Sequence, residues 1–239
     1  EVKILAEGGQ LPHAKPRAVQ EVLNYFAALR FIEKNAQAKE VHVRDVLKLH
    51  SIIGQKGALD REPVGLFRPY QVRVGMHLPP KASEVPGLMS QLLEWLNGAG
   101  RAWPAVVSSA ILHYQFEFIH PFGDGNGRVG RTLAAWQLYR RQLDTSHIFA
   151  VDEVLLEDRQ GYYRALHRAQ TEANDLTGWV EYIAEAVNEA LERAWLIDKI
   201  KKVFETAWLT TVNFSAKLRT KNVSLTLMLV TTLGRGIKL

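Results

Sequence analysis

The spacing of apolar residues predicts a chain that is mainly α-helical from Arg17 to about Lys202. A first predicted helix, AVQEVLNYFAALRFIEK, has apolar residues on one face, at Val19, Val22, Leu23, Phe26, Leu29 and Ile32. A second, VRDVLKLHSIIGQ, repeats this pattern, and Gly, Pro and Asn residues separate the segments. Because each helix has one apolar face, we expect both to pack into a shared core.

Five later segments also show helical periodicity: EVPGLMSQLLEWLNG, WPAVVSSAILHYQFEFI, RVGRTLAAWQLYRRQL, EDRQGYYRALHRAQTE and TGWVEYIAEAVNEALERAWLIDKIKK. One stretch differs from all of them. GLFRPYQVRVGMHLPP alternates apolar with polar or small residues from Val72 to Met76 and ends at two prolines, which predicts a short β-hairpin. The expected fold class is therefore all-α with one short hairpin.

The segment after Thr206 has a different composition, rich in Thr, Ser, Leu and Val, with no acidic residue after Glu205. Its apolar run VSLTLMLVTTL is far shorter than the roughly 20 residues that a membrane-spanning helix needs, so no membrane contact is expected. We expect residues 1–202 to form the main domain and residues 203–239 a small packed appendage. The alternative is DNA or other nucleic-acid contact through basic side chains, at Lys217, Arg219, Lys221, Arg235 and Lys238.

Composition and charge exclude only a few classes of function. The 239 residues suit one domain with or without an appendage, and a formal charge of +5 without a long basic run fits a small anion as well as nucleic acid. The chain has no cysteine, which excludes disulfides and thiolate metal sites. No signal peptide is evident in EVKILAEGG, so we expect a cytoplasmic protein, and a chain that begins with glutamate is expected to be a fragment or processed form.

The candidate chemistry lies in HPFGDGNGRVGR, residues 120–131, a loop between two predicted helices. Gly125, Asn126 and Gly127 let backbone N–H groups approach a ligand closely, at a helix N-terminus where the helix dipole favours anions. The loop therefore predicts an anion site, with phosphate as the expected ligand.

The two arginines of this stretch support the same interpretation. Arg128 and Arg131 are three residues apart in the first turn of the helix, where the helix dipole disfavours cations. Folding alone does not explain them, whereas a phosphate that binds their guanidinium groups does.

Three interpretations of the loop compete. A calcium-binding EF-hand loop requires Gly and Glu where the chain has Val129 and Ala135. A P-loop requires a lysine in place of Arg131 and a preceding strand, whereas AILHYQFEFI predicts a helix. The third makes His120 a base and Asp124 a ligand for Mg²⁺ beside the phosphates, and it uses all the polar residues of the loop.

HPFGDGNGRVGR matches the signature of the Fic family, H-x-F-x-[DE]-G-N-G-R-x-x-R, at every defined position. The resemblance extends from about Pro12 to Lys199, because LFRPYQVRVGMHLPP, VPGLMSQLLEWLN and AILHYQFEFIHPF resemble the flap and flanking helices of Fic proteins. It implies a helical Fic fold that transfers AMP from ATP to a Tyr, Thr or Ser hydroxyl of a target protein and releases pyrophosphate.

The resemblance also implies a role for each residue of the loop. His120 is then the catalytic base, Asp124 binds Mg²⁺, and Phe122 packs inward. The α-phosphate is held by Gly125, Asn126 and Gly127, and the outer phosphates by Arg128 and Arg131, with Arg131 at the γ-phosphate.

Outside the loop, the resemblance puts Tyr162, Tyr163, Gln170 and His77 near the nucleotide. It makes the hairpin a flap that captures the target's backbone, through Val72, Arg73, Val74 and Gly75. Without a ligand, the tyrosine pair is explained as core and the hairpin as an ordinary surface feature. His50 and His113 are expected to be buried packing residues.

Several alternatives stay open. The same fold can use another donor or direction, as in UMP or phosphocholine transfer, phosphorylation or removal of AMP, or the chain can be a non-enzymatic regulatory module. A homodimer is a further implication.

Many Fic proteins contain the inhibitory motif [ST]-x-x-x-E-[GN], whose glutamate pairs with the second motif arginine. Here the nearest match is the incomplete KILAEG, residues 3–8. We therefore expect an inhibitory helix to precede residue 1, and Arg131 to have no competing carboxylate in this chain.

Overall fold

The computed structural model describes residues 15–60, 63–141, 149–171 and 175–219. Within these ranges the chain forms eight α-helices and no sheet, which confirms the predicted all-α fold. The helices are α1 (Pro16–Lys34), α2 (Val43–Ile53), α3 (Val85–Asn97), α4 (Ala105–Ile119), α5 (Asn126–Arg140), α6 (Phe149–Glu157), α7 (Arg159–Thr171) and α8 (Thr177–Arg219). Short 3₁₀ turns lie at Gln55–Gly57, Ala82–Glu84 and Ala99–Ala102.

Helices α4 and α5 form the centre of the core and pack closely against each other. Gly130 permits this close approach, because a Cβ atom at that position would lie 2.5 Å from Oε1 of Glu117 on α4. Two buried tryptophans connect these helices to their neighbours. The indole N–H of Trp136 donates to the Asn35 carbonyl at 3.0 Å, and that of Trp179 donates to the Ala110 carbonyl at 2.7 Å.

The predicted hairpin is a single tight turn. Val74 and His77 form one antiparallel bridge, in which the N–H of each residue donates to the carbonyl of the other, at 3.0 and 2.9 Å. Gly75 lies between them with a φ of 58°, in the left-handed region that glycine adopts readily. Met76, at the tip, is 84% exposed. The flap is therefore a projecting turn without a strand ladder.

The chain divides into two compact units, Glu1–Leu191 and Glu192–Leu239. Helix α8 continues to Arg219, beyond the end predicted near Lys202. The segment TAWLTTVNFSAKLR contains no Gly or Pro that would stop a helix, which explains the difference. The domain boundary after Lys202 stays a prediction.

Several predicted features lie outside the described residues: KILAEG, the run VSLTLMLVTTL, and the basic residues Lys221, Arg235 and Lys238. Within the described ranges, none of the helices is long and apolar enough to span a membrane.

Helix α6 was not predicted. Its sequence FAVDEVLLE has apolar residues at helical spacing, at Val151, Val154 and Leu155, but is only 9 residues long. So short an apolar segment gives a weak periodic signal. The omission matters because α6 carries Asp152, which reaches the candidate site.

Candidate active site

The motif loop, residues 120–125, connects the end of α4 to the start of α5 and has an unusual backbone at both ends. His120 adopts a left-handed conformation with φ 48° and ψ 63°, and Gly125 has a φ of 79°. Such a conformation is uncommon for a residue with a side chain, and Pro121 further restricts the backbone of His120. The surrounding contacts must therefore maintain the shape of the loop.

His50, on α2, packs against the motif loop and stabilises it. Its ring stacks on the buried ring of Phe122, with centroids 3.7 Å apart and an interplanar angle of 4°. The Gly65 N–H donates to Nδ1 at 2.8 Å, so Nε2 carries the proton and donates to the Asp124 carbonyl at 3.1 Å. Burial lowers the pKa of His50, which agrees with this neutral form. The expected packing histidine is buried, and it also holds the loop by hydrogen bonds.

Asn126 is the first residue of α5, and its side chain is buried. The Phe122 N–H donates to Asn126 Oδ1, and Asn126 Nδ2 donates to the Phe122 carbonyl, both at 2.9 Å. The side-chain amide thus fixes the turn of the loop. What Asn126 can offer an anion is its backbone N–H.

The N-terminus of α5 has no side-chain cap, and its first turn closes with a hydrogen bond from the Val129 N–H to the Gly125 carbonyl. The N–H groups that precede it, those of Gly127 and Arg128, have no partner within the helix. An uncapped helix start beside a glycine-rich loop is a suitable place for a phosphate.

Asp124 points both carboxylate oxygens toward backbone donors. Oδ1 accepts from the Gly125 N–H at 2.6 Å and Oδ2 from the Asp60 N–H at 2.8 Å. Each oxygen keeps a further lone pair, and the side chain is 29% exposed. In the described ranges no cluster of three or more metal-binding side chains occurs. One carboxylate suffices for a Mg²⁺ whose other ligands are phosphate oxygens and water.

The motif arginines have incompletely satisfied guanidinium groups. Arg128 Nη1 and Arg131 Nε are buried and make no hydrogen bond with any residue that the structure describes. Arg128 Nη1 lies 3.6 Å from a carboxylate oxygen of Glu21 on α1. Arg131 extends over the start of α5, since a Cβ atom on Gly127 would lie 3.1 Å from its Nη1. Buried donors that make no hydrogen bond are unusual, and they leave room for a better-aligned acceptor.

The expectation that Arg131 has no competing carboxylate is wrong. Arg131 Nε lies 3.0 Å from Asp152 Oδ1, although without the alignment of a hydrogen bond. The other carboxylate oxygen of Asp152 accepts from the Tyr25 hydroxyl. Burial raises the pKa of Asp152 to about 7. The acid comes from α6, the helix that the sequence analysis missed.

His120 is 17% exposed, and its Nδ1 lies 3.8 Å from Oε2 of Glu117, one turn earlier on α4. Burial is the main reason that the pKa of His120 is lowered to about 4; a hydrogen bond with the Glu117 backbone opposes this shift, and the nearby Arg68 and His77 add to it. The ring is therefore neutral at neutral pH and can accept a proton. Burial also raises the pKa of Glu117 to about 7, partly opposed by the charge of Arg131.

Two flap-side residues lie close to His120. His77, predicted near the nucleotide, has its Nε2 2.9 Å from the Phe118 carbonyl and its ring beside that of Phe118. Arg68, which the sequence analysis missed, is 2% exposed, and its Nε donates to the His120 carbonyl at 2.9 Å. An arginine within the otherwise apolar stretch GLFRP was the available signal.

Of the predicted flap residues, Val72 is buried, whereas Arg73, Val74 and Gly75 are exposed. Val74 is already paired with His77 through its backbone, so only the backbone of Arg73 and Gly75 is open to a partner in this part of the flap. The buried Val72 cannot contact a partner through its side chain.

The predicted nucleotide residues of α7 differ in their surroundings. Tyr162 is buried, with its hydroxyl 3.2 Å from Nε2 of His113, as expected for a core residue. Tyr163 is 52% exposed and lies under the guanidinium group of Arg159. Gln170 is half-buried. His113 is buried as predicted, and burial lowers its pKa to about 3.

The motif loop therefore brings a neutral histidine, a carboxylate and two arginines to the uncapped start of a helix in an all-α protein. Residues 40–138 match the Fic/DOC family. The chain is 31% identical over 194 residues to the protein adenylyltransferase fic-1 of Caenorhabditis briggsae, a match covering 80% of this chain and 36% of that protein. It is 31% identical over 176 residues to the protein adenylyltransferase Fic of Drosophila willistoni, covering 72% and 33%.

Solved structures agree with this family. A Fic family protein from Desulfovibrio desulfuricans aligns with a TM-score of 0.68 at 32% identity, over 82% of this chain and 59% of that one. A fragment of Fic-1 from Caenorhabditis elegans aligns with a TM-score of 0.70 at 27% identity, over 83% and 57%. The chain therefore carries a Fic domain with the all-α Fic fold. It spans about a third of the length of the curated relatives it matches.

Proposed function

We propose that this Fic domain is a protein adenylyltransferase, which transfers AMP from ATP to a hydroxyl group of a target protein. The observation that carries the proposal is a pair of buried arginine nitrogens beside the uncapped start of α5, Arg128 Nη1 and Arg131 Nε. Each faces a carboxylate, but neither makes a hydrogen bond within the described residues. A triphosphate would supply acceptor oxygens in hydrogen-bonding geometry. The names of the relatives supply the adenylyl group and the protein target.

In this proposal the start of α5 holds the phosphates. The backbone at Gly125, Asn126 and Gly127 surrounds the α-phosphate, with the N–H groups of Asn126 and Gly127 free to donate to it. The side chains of Arg128 and Arg131 bind the outer phosphates, with Arg131 at the γ-phosphate. Arg131 must then exchange its contact with Asp152 for the phosphate.

His120 is the proposed base. Its Nδ1 faces Glu117, so Nε2 is the ring nitrogen available to a target hydroxyl. The hydroxyl oxygen attacks the α-phosphorus and forms a new P–O bond, while the bond from this phosphorus to the α,β-bridging oxygen breaks. Pyrophosphate leaves, and the hydroxyl proton passes to Nε2. A neutral imidazole is needed for this step, and burial of His120 provides it.

Asp124 fits the predicted role of metal ligand, because its two oxygens retain lone pairs beside the proposed phosphate site. Mg²⁺ bound there would neutralise phosphate charge as the pyrophosphate leaves. Asp124 would hold it from the protein side, and its hydrogen bonds to the Gly125 and Asp60 N–H groups fix the orientation of the carboxylate.

The remaining parts of the proposal concern the substrates and the assembly. The adenosine is proposed to lie near Tyr163, Gln170 and His77, with buried Tyr162 shaping the pocket wall. The exposed flap backbone on either side of Val74, at Arg73 and Gly75, would pair with an extended segment of the target. We also propose that the protein forms a homodimer, that it is cytoplasmic, and that the residues after Lys202 form an appendage.

Incubation with labelled ATP and Mg²⁺ tests the proposal directly. We expect the protein itself or a lysate protein to gain AMP, identified by its added mass, and His120→Ala to abolish the gain. An added UMP, phosphate or phosphocholine group would identify another transfer, and loss of AMP from a modified protein the reverse reaction. If neither protein gains AMP, or if His120→Ala behaves like the wild type, the proposal is wrong.

A further inference from the structure

Arg68 is a buried arginine. Among the residues that the structure describes, its guanidinium group hydrogen-bonds only to backbone carbonyls and takes part in no ion pair, and burial lowers its pKa. Its backbone N–H also donates, to the Pro121 carbonyl at 2.9 Å. The side chain donates to His120 (Nε, 2.9 Å), Tyr70 (Nη1, 2.8 Å), Pro80 (Nη2, 2.6 Å) and Ile119 (Nη2, 3.5 Å).

These carbonyls belong to two different parts of the protein. Tyr70 and Pro80 lie at the two ends of the flap, whereas Ile119 and His120 form the end of α4. The flap has one pair of backbone bonds of its own, between Val74 and His77. Its position therefore depends on side chains at its base, and Arg68 joins that base to the motif loop.

Arg68 Nε donates to the carbonyl of His120, a residue with an unfavourable backbone conformation. His120 combines a positive φ of 48° with a following proline, and both features disfavour its conformation. The guanidinium group of Arg68 binds the carbonyls of Ile119 and His120, whereas the Arg68 backbone N–H binds that of Pro121. A change in the guanidinium group would therefore release the two side-chain contacts and loosen the turn that orients the imidazole.

We infer that Arg68 is a positioning residue that fixes the flap relative to His120, and so sets the distance between a captured target hydroxyl and its base. The catalytic consequence of this inference rests on the proposed function, whereas the contacts by which Arg68 links the flap to His120 do not. A planar guanidinium reaches carbonyls in several directions at once, whereas a lysine ammonium donates from one point. Arg68→Lys keeps the charge and loses this geometry.

Two matched variants separate the link from a general loss of stability. Arg140 on α5 also binds backbone carbonyls, those of Ala38 and Lys39, far along the helix from the motif loop. Arg140→Lys is thus the control for the substitution itself. Within the described residues, the Gln71 side chain donates hydrogen bonds to two carbonyls of the flap, those of Val72 and Pro79. Gln71→Ala therefore loosens the flap without changing the motif loop.

Hydrogen exchange of the backbone amides measures the link without any assay of activity. We expect Arg68→Lys to accelerate exchange in two peptides together, residues 70–80 and 119–123. Gln71→Ala should affect only the first peptide, and Arg140→Lys neither. Unchanged exchange in either peptide of Arg68→Lys, or equal acceleration throughout the protein, overturns the inference.

Kinetics measure the catalytic consequence. In Arg68→Lys the dissociation constant for ATP should stay within about 3-fold of the wild-type value, because the phosphates are bound elsewhere. The maximal rate of AMP transfer should fall about 100-fold, as expected for a misplaced base and acceptor. A wild-type rate in Arg68→Lys contradicts the inference alone. A wild-type protein that transfers no AMP contradicts the proposed function, and the exchange experiment still decides the role of Arg68.

Discussion

The motif loop and the flap are neighbours, but they are held in place by different kinds of contact. The loop is held by buried side chains from separate elements, His50 from α2 and Asn126 from α5, and Phe122 at its centre is fully buried. The flap has one pair of backbone bonds, and Met76 at its tip is 84% exposed. The proposed phosphate site is therefore preorganised, whereas the proposed target site keeps unpaired backbone.

This difference suits the two proposed partners. A triphosphate is the same in every reaction, so a rigid site binds it without reorganisation. A protein target supplies a strand of its own, and an edge with free backbone groups can accept it. The following predictions test the contrast, beginning with the largest expected effect.

Phe122→Ala should destabilise the protein most. The ring is fully buried, stacked on His50 and surrounded by Phe67 and Phe116. Its removal leaves a cavity beneath the loop, which should lower the free energy of unfolding by about 3–5 kcal/mol. Urea denaturation measures this value. A loss below about 1 kcal/mol would mean that the loop is as adaptable as the flap.

Asn126→Ala and Gln71→Ala remove the same chemical group from the two regions. Asn126 pairs the buried N–H and carbonyl of Phe122, so its loss should cost about 2 kcal/mol of stability. The Gln71 side chain is exposed and its hydrogen bonds to the Val72 and Pro79 carbonyls are only partly buried, so its loss should cost less, about 0.5–1 kcal/mol. Thermal unfolding of both variants measures the difference, and equal losses would remove the contrast.

Glu117→Gln should reveal a buried acid behind the loop through the pH dependence of stability. Its neighbours are His113, His120 and Arg131. Burial raises the pKa of Glu117 from 4.5 to about 7. Protonated Glu117 therefore contributes fully to the stability of the folded protein below pH 4.5, and this contribution is lost as the pH rises through 7. Glutamine cannot ionise. Relative to the wild type, the variant should gain on the order of 2 kcal/mol between pH 4.5 and 8.

Denaturant unfolding at both pH values tests this. A stability difference between Glu117→Gln and the wild type that stays constant across this range would show that Glu117 titrates normally.

Asp152→Asn should strengthen ATP binding, by about 3- to 10-fold at pH 8, because the phosphate no longer competes with a carboxylate for Arg131. The gain should shrink at pH 6, where the raised pKa of about 7 leaves Asp152 mostly protonated. Glu153→Gln, an exposed acid on the same helix, is the control. Weaker ATP binding in Asp152→Asn would show that Asp152 orients Arg131 instead of competing for it.

Met76→Ala should have the smallest effect on folding. The side chain is exposed at the tip of the flap, so the free energy of unfolding should change by less than about 0.5 kcal/mol. Calorimetry measures it. A loss above 1 kcal/mol would mean that the flap packs against the protein more firmly than its exposure indicates.

Sequence reasoning extends furthest where the chemistry depends on neighbouring residues. The spacing from His120 to Arg131 is enough to predict a base, a carboxylate and two arginines without knowledge of any distant contact, and these roles stay predictions. The helical periodicity predicts the fold class for the same reason, because it needs only local patterns.

The missed residues act over long sequence separations. Arg68 meets the loop across more than 50 residues, and Asp152 reaches Arg131 from a helix too short to be predicted. His50 was expected to be buried, but its hydrogen bond to Asp124 needs the folded chain. Such contacts are set by tertiary packing, which periodicity and motif spacing do not contain.

The central claim is that the start of α5 binds the phosphates while His120 serves only the chemical step. Calorimetric titration of ATP into His120→Ala and Arg131→Ala tests it most directly. The account predicts that His120→Ala binds ATP within about 3-fold of the wild-type affinity, whereas Arg131→Ala binds it at least about 10-fold more weakly. If His120→Ala loses as much affinity as Arg131→Ala, His120 belongs to the phosphate site or its shape, and the account is contradicted.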